Sequence, residues 1–226
     1  MADLDGPRLE PRSGVAKQLV VFLHGYGADG NDLIDIGRSW QQLLPDAAFV
    51  SPHAPRPCGQ APTGREWFPL TMREPNERWD GVNAAAPGLN AFLDAELARR
   101  GLTDSALALV GFSQGTMMSL HVGLRRASTP AAIVGYSGML VTPTNEADID
   151  RFAAEIRSRP PVLLVHGDQD QLIPVQALMH AAQGLAALEV PVEWHISPGV
   201  GHGIDQEGLR QGGEFIVRRL SGRATH

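Results

Sequence analysis

The chain has 226 residues, 43% of them hydrophobic and 19% charged, enough to bury a large core within one α/β domain. Its net charge of −6 argues against nucleic acid as a partner, because phosphates are held mainly by Lys and Arg. A single cysteine, Cys58, excludes an internal disulfide and any structural zinc site that needs two cysteines from one chain.

Residues 1–14, "MADLDGPRLEPRSG", are acidic and carry proline, without the basic and apolar regions of a secretory signal. They are expected as a loosely ordered tail on a single domain spanning 1–226. No run approaches the ~20 apolar residues that cross a bilayer. The expectation is a soluble, cytoplasmic protein with no stable membrane insertion.

The first strong apolar run, "QLVVFLH" (18–24), predicts a buried strand. Gly25, Gly27 and Gly30 follow it and spell G-x-G-x-x-G, the dinucleotide fingerprint. Helical spacing of Leu33, Ile36, Trp40, Leu43 and Leu44 predicts a helix over 32–44, and "AAFVSP" (47–52) a second strand. A dinucleotide site needs an acid at the end of that second strand, but Ser51, Pro52 and His53 stand there and Asp46 precedes it. The fingerprint fails its own test. A glycine-rich turn after the first strand has another use, which is to aim a backbone N–H, here that of Tyr26, at a developing oxyanion.

Residues 52–80 form a proline-rich stretch carrying Trp67, Phe68, Leu70, Met72 and Trp79, expected as a long functional loop or as a hydrophobic patch over the sheet. Cys58 lies in it as an incidental thiol. Leu89, Phe92, Leu93 and Leu97 predict a helix over 86–101, closed by Gly101. Strands at 106–112, 131–137, 161–167 and 190–197 then alternate with helices at 114–126, 175–188 and 207–220. The pattern predicts an α/β fold with a doubly wound, mostly parallel sheet.

Between strand 106–112 and its helix lies Gly111-Phe112-Ser113-Gln114-Gly115, a G-x-S-x-G turn. A sharp strand-to-helix turn strains its central residue and crowds the flanking ones, which small residues relieve. The serine hydroxyl then stands free, and the Gln114 amide lies at a helix N-terminus that favours negative charge. The competing reading makes Ser113 a plain helix cap. A serine nucleophile needs a base and an orienting acid, in the chain order Ser, acid, His. His202, between Gly201 and Gly203, is the best base; His24 and His166 end strands, and His121, His180 and His195 lie inside elements. Asp168 and Asp170 both sit in the turn after strand 161–167, and spacing does not separate them.

Together "FLHGYGADGNDLI", "GREWFPL", "GFSQG", "HGDQDQLIP" and "GHGI" resemble the bacterial carboxylesterase/phospholipase branch of the acyl-protein thioesterase family, within the α/β-hydrolase superfamily. The match runs in order from about residue 15 to about residue 220. The resemblance implies a hydrolase without a separate cap domain. It implies Ser113 as nucleophile, Asp170 as acid, His202 as base, and the amides of Tyr26 and Gln114 as oxyanion donors. The activity it implies is hydrolysis of short- to medium-chain carboxylic esters through an acyl-enzyme, or else thioesterase or lysophospholipase action on longer chains. Trp67, Phe68, Leu70, Met139 and Ile173 are expected to touch substrate. No cofactor or metal is called for, the partner is a small-molecule ester, and a homodimer is admitted. An NAD oxidoreductase, a noncatalytic binding protein and a dienelactone hydrolase with a cysteine nucleophile are the rivals.

Overall fold

The computed structural model describes residues 4–71, 73–144 and 146–221. Among the described residues nine strands and six α-helices lie in the chain order β1 (Arg8–Leu9), β2 (Gln18–Leu23), α1 (Gly30–Trp40), β3 (Ala47–Val50), β4 (Arg56–Pro57), β5 (Arg65–Glu66), α2 (Glu77–Arg100), β6 (Leu107–Phe112), α3 (Gln114–Gly123), β7 (Ala132–Tyr136), α4 (Glu146–Ala154), β8 (Val162–Gly167), α5 (Gln176–Ala187), β9 (Val192–Ser197) and α6 (Gln206–Ser221). The main sheet has seven strands in the order β1-β3-β2-β6-β7-β8-β9. All its pairs are parallel except β1 with β3, so this is a mostly parallel, doubly wound α/β sheet.

Period-two alternation explains the two-sided core. Leu19, Val21 and Leu23 of β2 face one side, where α2, α3, α4 and α5 supply Phe92, Met117, Phe152 and Leu185. Val20 and Phe22 face the other, where α1 and α6 supply Ile34, Trp40, Phe215 and Ile216. The central strands are buried on both faces and therefore read as continuous apolar runs; β9, at the edge, is polar and half-exposed.

Three features depart from expectation. Residues 4–14 are not loose where they are described: Arg8 and Leu9 pair with Val50 and Phe49, and Arg8 reaches the buried Glu96 of α2 at 2.8 Å. Residues 1–3 of the expected tail lie outside the described residues. Helix α2 begins at Glu77 rather than at 86, running through Pro87. Proline withholds the amide that the Asn83 carbonyl would take, yet Trp79 and Val82 are buried before it and anchor that first half. The 52–80 stretch accordingly shortens: β4 and β5 pair as a hairpin, and Trp79 belongs to α2. Met72 of that stretch lies outside the described residues.

Candidate active site

The turn from β6 into α3 holds Ser113 at φ 53°, ψ −114°, in the left-handed half of backbone space that a side chain adopts only at a cost of about 1–3 kcal/mol. Its neighbours explain how that strain is kept. The Ser113 N–H donates to the Tyr136 carbonyl at 2.9 Å. The Thr116 hydroxyl lies 2.9 Å from both the Gly111 and the Tyr136 carbonyls and clamps the turn to β7. A Cβ on Gly111 would strike the Gly115 backbone, and one on Gly115 the Leu23 carbonyl. The Ser113 side chain makes no capping hydrogen bond to α3, so the hydroxyl is left for other work.

Asp170 follows β8. Its side chain is 0% exposed. Oδ1 accepts the amides of Leu172 and Ile173, both at 2.9 Å, and Oδ2 accepts His202 Nδ1–H at 2.7 Å. Burial alone would raise its pKa; the Ile173 amide and then His202 reverse this and hold the carboxyl below the ordinary value. Asp168 turns elsewhere, to the Gly199 amide at 2.7 Å. His202 lies in the loop between β9 and α6. Because a carboxylate only accepts, its Nδ1 carries hydrogen and Nε2 is left as the acceptor. The imidazole packs on Phe112, the residue before Ser113, with ring centroids 5.0 Å apart. Ser137, itself at φ 45°, donates its hydroxyl to the Gly203 carbonyl at 3.1 Å and pins the histidine loop. Among the described residues no hydrogen bond joins Ser113 Oγ to His202, a contact that commonly tightens only with substrate in place.

Tyr26 and Gln114 stand at the ends of β2 and β6, which pair side by side. Among the described residues neither backbone amide donates a turn or side-chain hydrogen bond. The Gln114 side chain, fully buried, accepts the Trp67 N–H at 2.9 Å and donates to the Phe68 carbonyl at 2.8 Å. Trp67 Nε1–H donates to the His24 carbonyl at 3.0 Å. His24 is neutral: burial presses its pKa down to about 4. Its Nδ1–H meets the Gly25 carbonyl at 2.8 Å, which leaves Nε2 to accept the Ala54 amide at 3.0 Å. Burial, with Cys58 beside it, pushes the Tyr26 phenol upward, so it stays protonated.

Of the residues expected on substrate, Trp67 and Phe68 are each 2% exposed and brace the Gln114 turn. Both also line a cavity of about 590 Å³ with Pro55, Gly81, Ala85 and Leu89, and neither Ser113 nor His202 borders it. Leu70 and Met139 are half-buried against the core, and Ile173 meets Asp170 through its amide. Thr116, Ser137 and the side chains of Gln114 and His24 are functional supports that sequence reasoning missed; the G-F-S-Q-G run signalled Gln114 only through its amide. Among the described residues no three His, Cys, Asp or Glu side chains are grouped to hold a metal ion.

A strained serine between strand and helix, with an imidazole and a buried carboxylate at the same sheet edge, defines a serine hydrolase of the α/β-hydrolase class. Comparison with known proteins makes this particular: residues 4–219 match the phospholipase/carboxylesterase family model, and the chain belongs to that family. It is 26% identical to acyl-protein thioesterase 1 of Gibberella zeae over 95% of each chain. It is also 26% identical to esterase YpfH of Escherichia coli, over 86% of this chain and 80% of that one. The crystal structure of esterase PE8 superposes with a TM-score of 0.91 at 45% identity, covering 97% of this chain and 100% of that one.

Proposed function

We propose that the protein hydrolyses short- to medium-chain carboxylic esters through an acyl-enzyme on Ser113. His202 Nε2 takes the hydroxyl proton as Oγ attacks the ester carbonyl, and the amides of Tyr26 and Gln114 receive the oxyanion. His202, now positive and steadied by Asp170, gives the proton to the departing alcohol. Water, deprotonated by the same imidazole, then attacks the acyl carbonyl and frees the acid and Ser113. The observation that carries this reading is the Ser113 turn, strained in backbone and uncommitted in side chain, one residue from the ring on which His202 packs.

Similarity to a named thioesterase supports a second reading, in which longer acyl chains leave from sulfur rather than oxygen. Both readings use the same residues; the first takes a small-molecule ester. No described helix is long and apolar enough to cross a membrane. A cytoplasmic location belongs to this reading, and cell fractionation tests it.

The test is hydrolysis of p-nitrophenyl esters and matched thioesters across acyl lengths by the parent, Ser113→Ala, Asp170→Asn and Asp168→Asn. Ser113→Ala should lose nearly all activity, on the order of 10⁶-fold in kcat, and Asp170→Asn about 10⁴-fold. Asp168→Asn should stay within about tenfold of the parent, because the asparagine Oδ1 can still accept the Gly199 amide and only the charge assistance of one exposed hydrogen bond is lost. Full activity in Ser113→Ala sinks the mechanism; equal loss in both aspartate variants sinks the assignment of the acid.

A further inference from the structure

The Asp170 carboxylate is met by two imidazoles. Oδ2 accepts His202 Nδ1–H at 2.7 Å and also lies 3.2 Å from Nε2 of His166. His166 belongs to β8, one helical-style step of four residues before the acid, and its side chain is 2% exposed. The same Nε2 stands 2.8 Å from the Ile173 carbonyl oxygen. A carbonyl only accepts, so Nε2 carries hydrogen. That N–H is donated to Ile173; Oδ2 is a close neighbour of the ring nitrogen and takes no hydrogen bond from it.

Oδ1 has the amides of Leu172 and Ile173, and Oδ2 has His202. The donors on Oδ1 are backbone amides of one turn. His202 must adjust its grip on Oδ2 as its charge changes through a reaction cycle, whereas His166 is set in a central strand and holds the carbonyl of Ile173, whose amide is one of the donors on Oδ1. The other carboxylates nearby are engaged elsewhere: Asp168 with the Gly199 amide, Asp205 with the Ser197 hydroxyl and the Gly208 amide. A histidine that merely filled space at a strand end could be exchanged for an apolar side chain of similar size. Here that exchange would strip the Ile173 carbonyl of its donor.

We infer that His166 is a positioning residue: its Nε2–H holds the Ile173 carbonyl, and with it the turn whose Ile173 amide grips Asp170 Oδ1, so that the carboxylate presents one fixed oxygen to His202. This rests on the roles proposed above for Ser113, Asp170 and His202. His166 touches no substrate and acts only through the acid.

The variants His166→Gln, His166→Phe and His166→Met separate donor from volume. Glutamine carries an amide N–H close to the Nε2 position, while phenylalanine and methionine fill the space without one. The two apolar variants should lower kcat on a p-nitrophenyl ester by about 10- to 100-fold, the range for a buried carbonyl left without its donor, with KM nearly unchanged. His166→Gln should recover most of that loss. The low-field proton resonance of the His202–Asp170 hydrogen bond should move or vanish in the apolar variants and persist in His166→Gln. If His166→Phe fails to fold, His166→Met decides, with melting curves run on all three. Parent-like kcat in a folded apolar variant overturns the inference. So does an equal loss in Gln and Met variants with the resonance unmoved. Labelling of Ser113 by a fluorophosphonate keeps the two readings apart: a parent that resists labelling counts against the serine mechanism itself, while equal labelling rates in parent and His166→Met count only against His166.

Discussion

Gln114 shows how far one side chain reaches in this molecule. Its amide begins α3 beside Ser113, while its carboxamide joins the Trp67 N–H to the Phe68 carbonyl, at 2.9 and 2.8 Å, in a place water does not enter. A buried amide satisfied at both ends fixes the distance between two loops. Leucine there would fill the space and leave two backbone groups orphaned. Nothing in the residue type announces this, because the partners lie more than forty positions upstream; only the folded chain pairs them. The same holds for Asp168 and Asp170, equivalent by spacing and divided by whether a carboxylate meets Gly199 or His202. Asp170 also carries a pH prediction. Burial opposes its ionisation, but the Ile173 amide and His202 prevail and its folded pKa lies below the unfolded one. Such a group stabilises the fold above the unfolded carboxylate value and loses that contribution as pH falls through the folded pKa. Glu96 behaves likewise: burial opposes its charge, and Arg8 and Arg100 prevail. Melting temperature should therefore stay level near neutrality and fall below about pH 4. Asp170→Asn should lose part of that acid-side decline in thermal melts; a decline as steep as the parent's contradicts the assignment.

Among the elements, the β6–α3 turn is the most constrained. Gly115 is the second residue of α3, where alanine would ordinarily gain about 1 kcal/mol of helix propensity. Against that, its Cβ would collide with the Leu23 carbonyl, part of a central strand that cannot step aside. Overpacking of this kind costs up to about 3 kcal/mol, so the clash wins. Gly115→Ala should lower stability by about 2 kcal/mol in urea melts, the difference between the two effects. It should also impair activity, because β2 carries the Tyr26 turn. An unchanged midpoint would mean that the strand yields after all. Elements of this sort were legible in the sequence wherever both faces of a strand are buried and the helix returns a clear apolar stripe. The first half of α2 was not: Pro87 reads as a helix start, and Gly81, Ala84, Ala85 and Ala86 offer no stripe. Nor was α4, a nine-residue helix with only two large apolar residues, Ile149 and Phe152, or the two-residue strands of the β4–β5 hairpin.

On the scale of the whole molecule, every group of the candidate site leaves the sheet at the C-terminal end of a parallel strand: Tyr26 after β2, Ser113 after β6, Asp170 after β8 and His202 after β9. Alternation of strands and helices foretold that convergence, because parallel connections return each strand to the same edge. It could not foretell β1, whose two residues pair antiparallel against β3 and owe their place to a contact across the fold. Arg8 is held at 2.8 Å by Glu96, whose side chain is only 5% exposed. Arg8→Ala should cost about 2 kcal/mol, as for a hydrogen bond to a charged group, with Arg100 still on Glu96 to limit the damage. A chemical melt that places the variant within a few tenths of the parent would return β1 to the status of ornament. The position of this strand also bears on how the enzyme is handled. A purification handle spliced directly ahead of Leu4 would start beside the cavity that this residue lines with Pro55 and Trp67. A fusion at this end therefore calls for a flexible spacer, and heat tolerance is best compared between preparations that share the same leader.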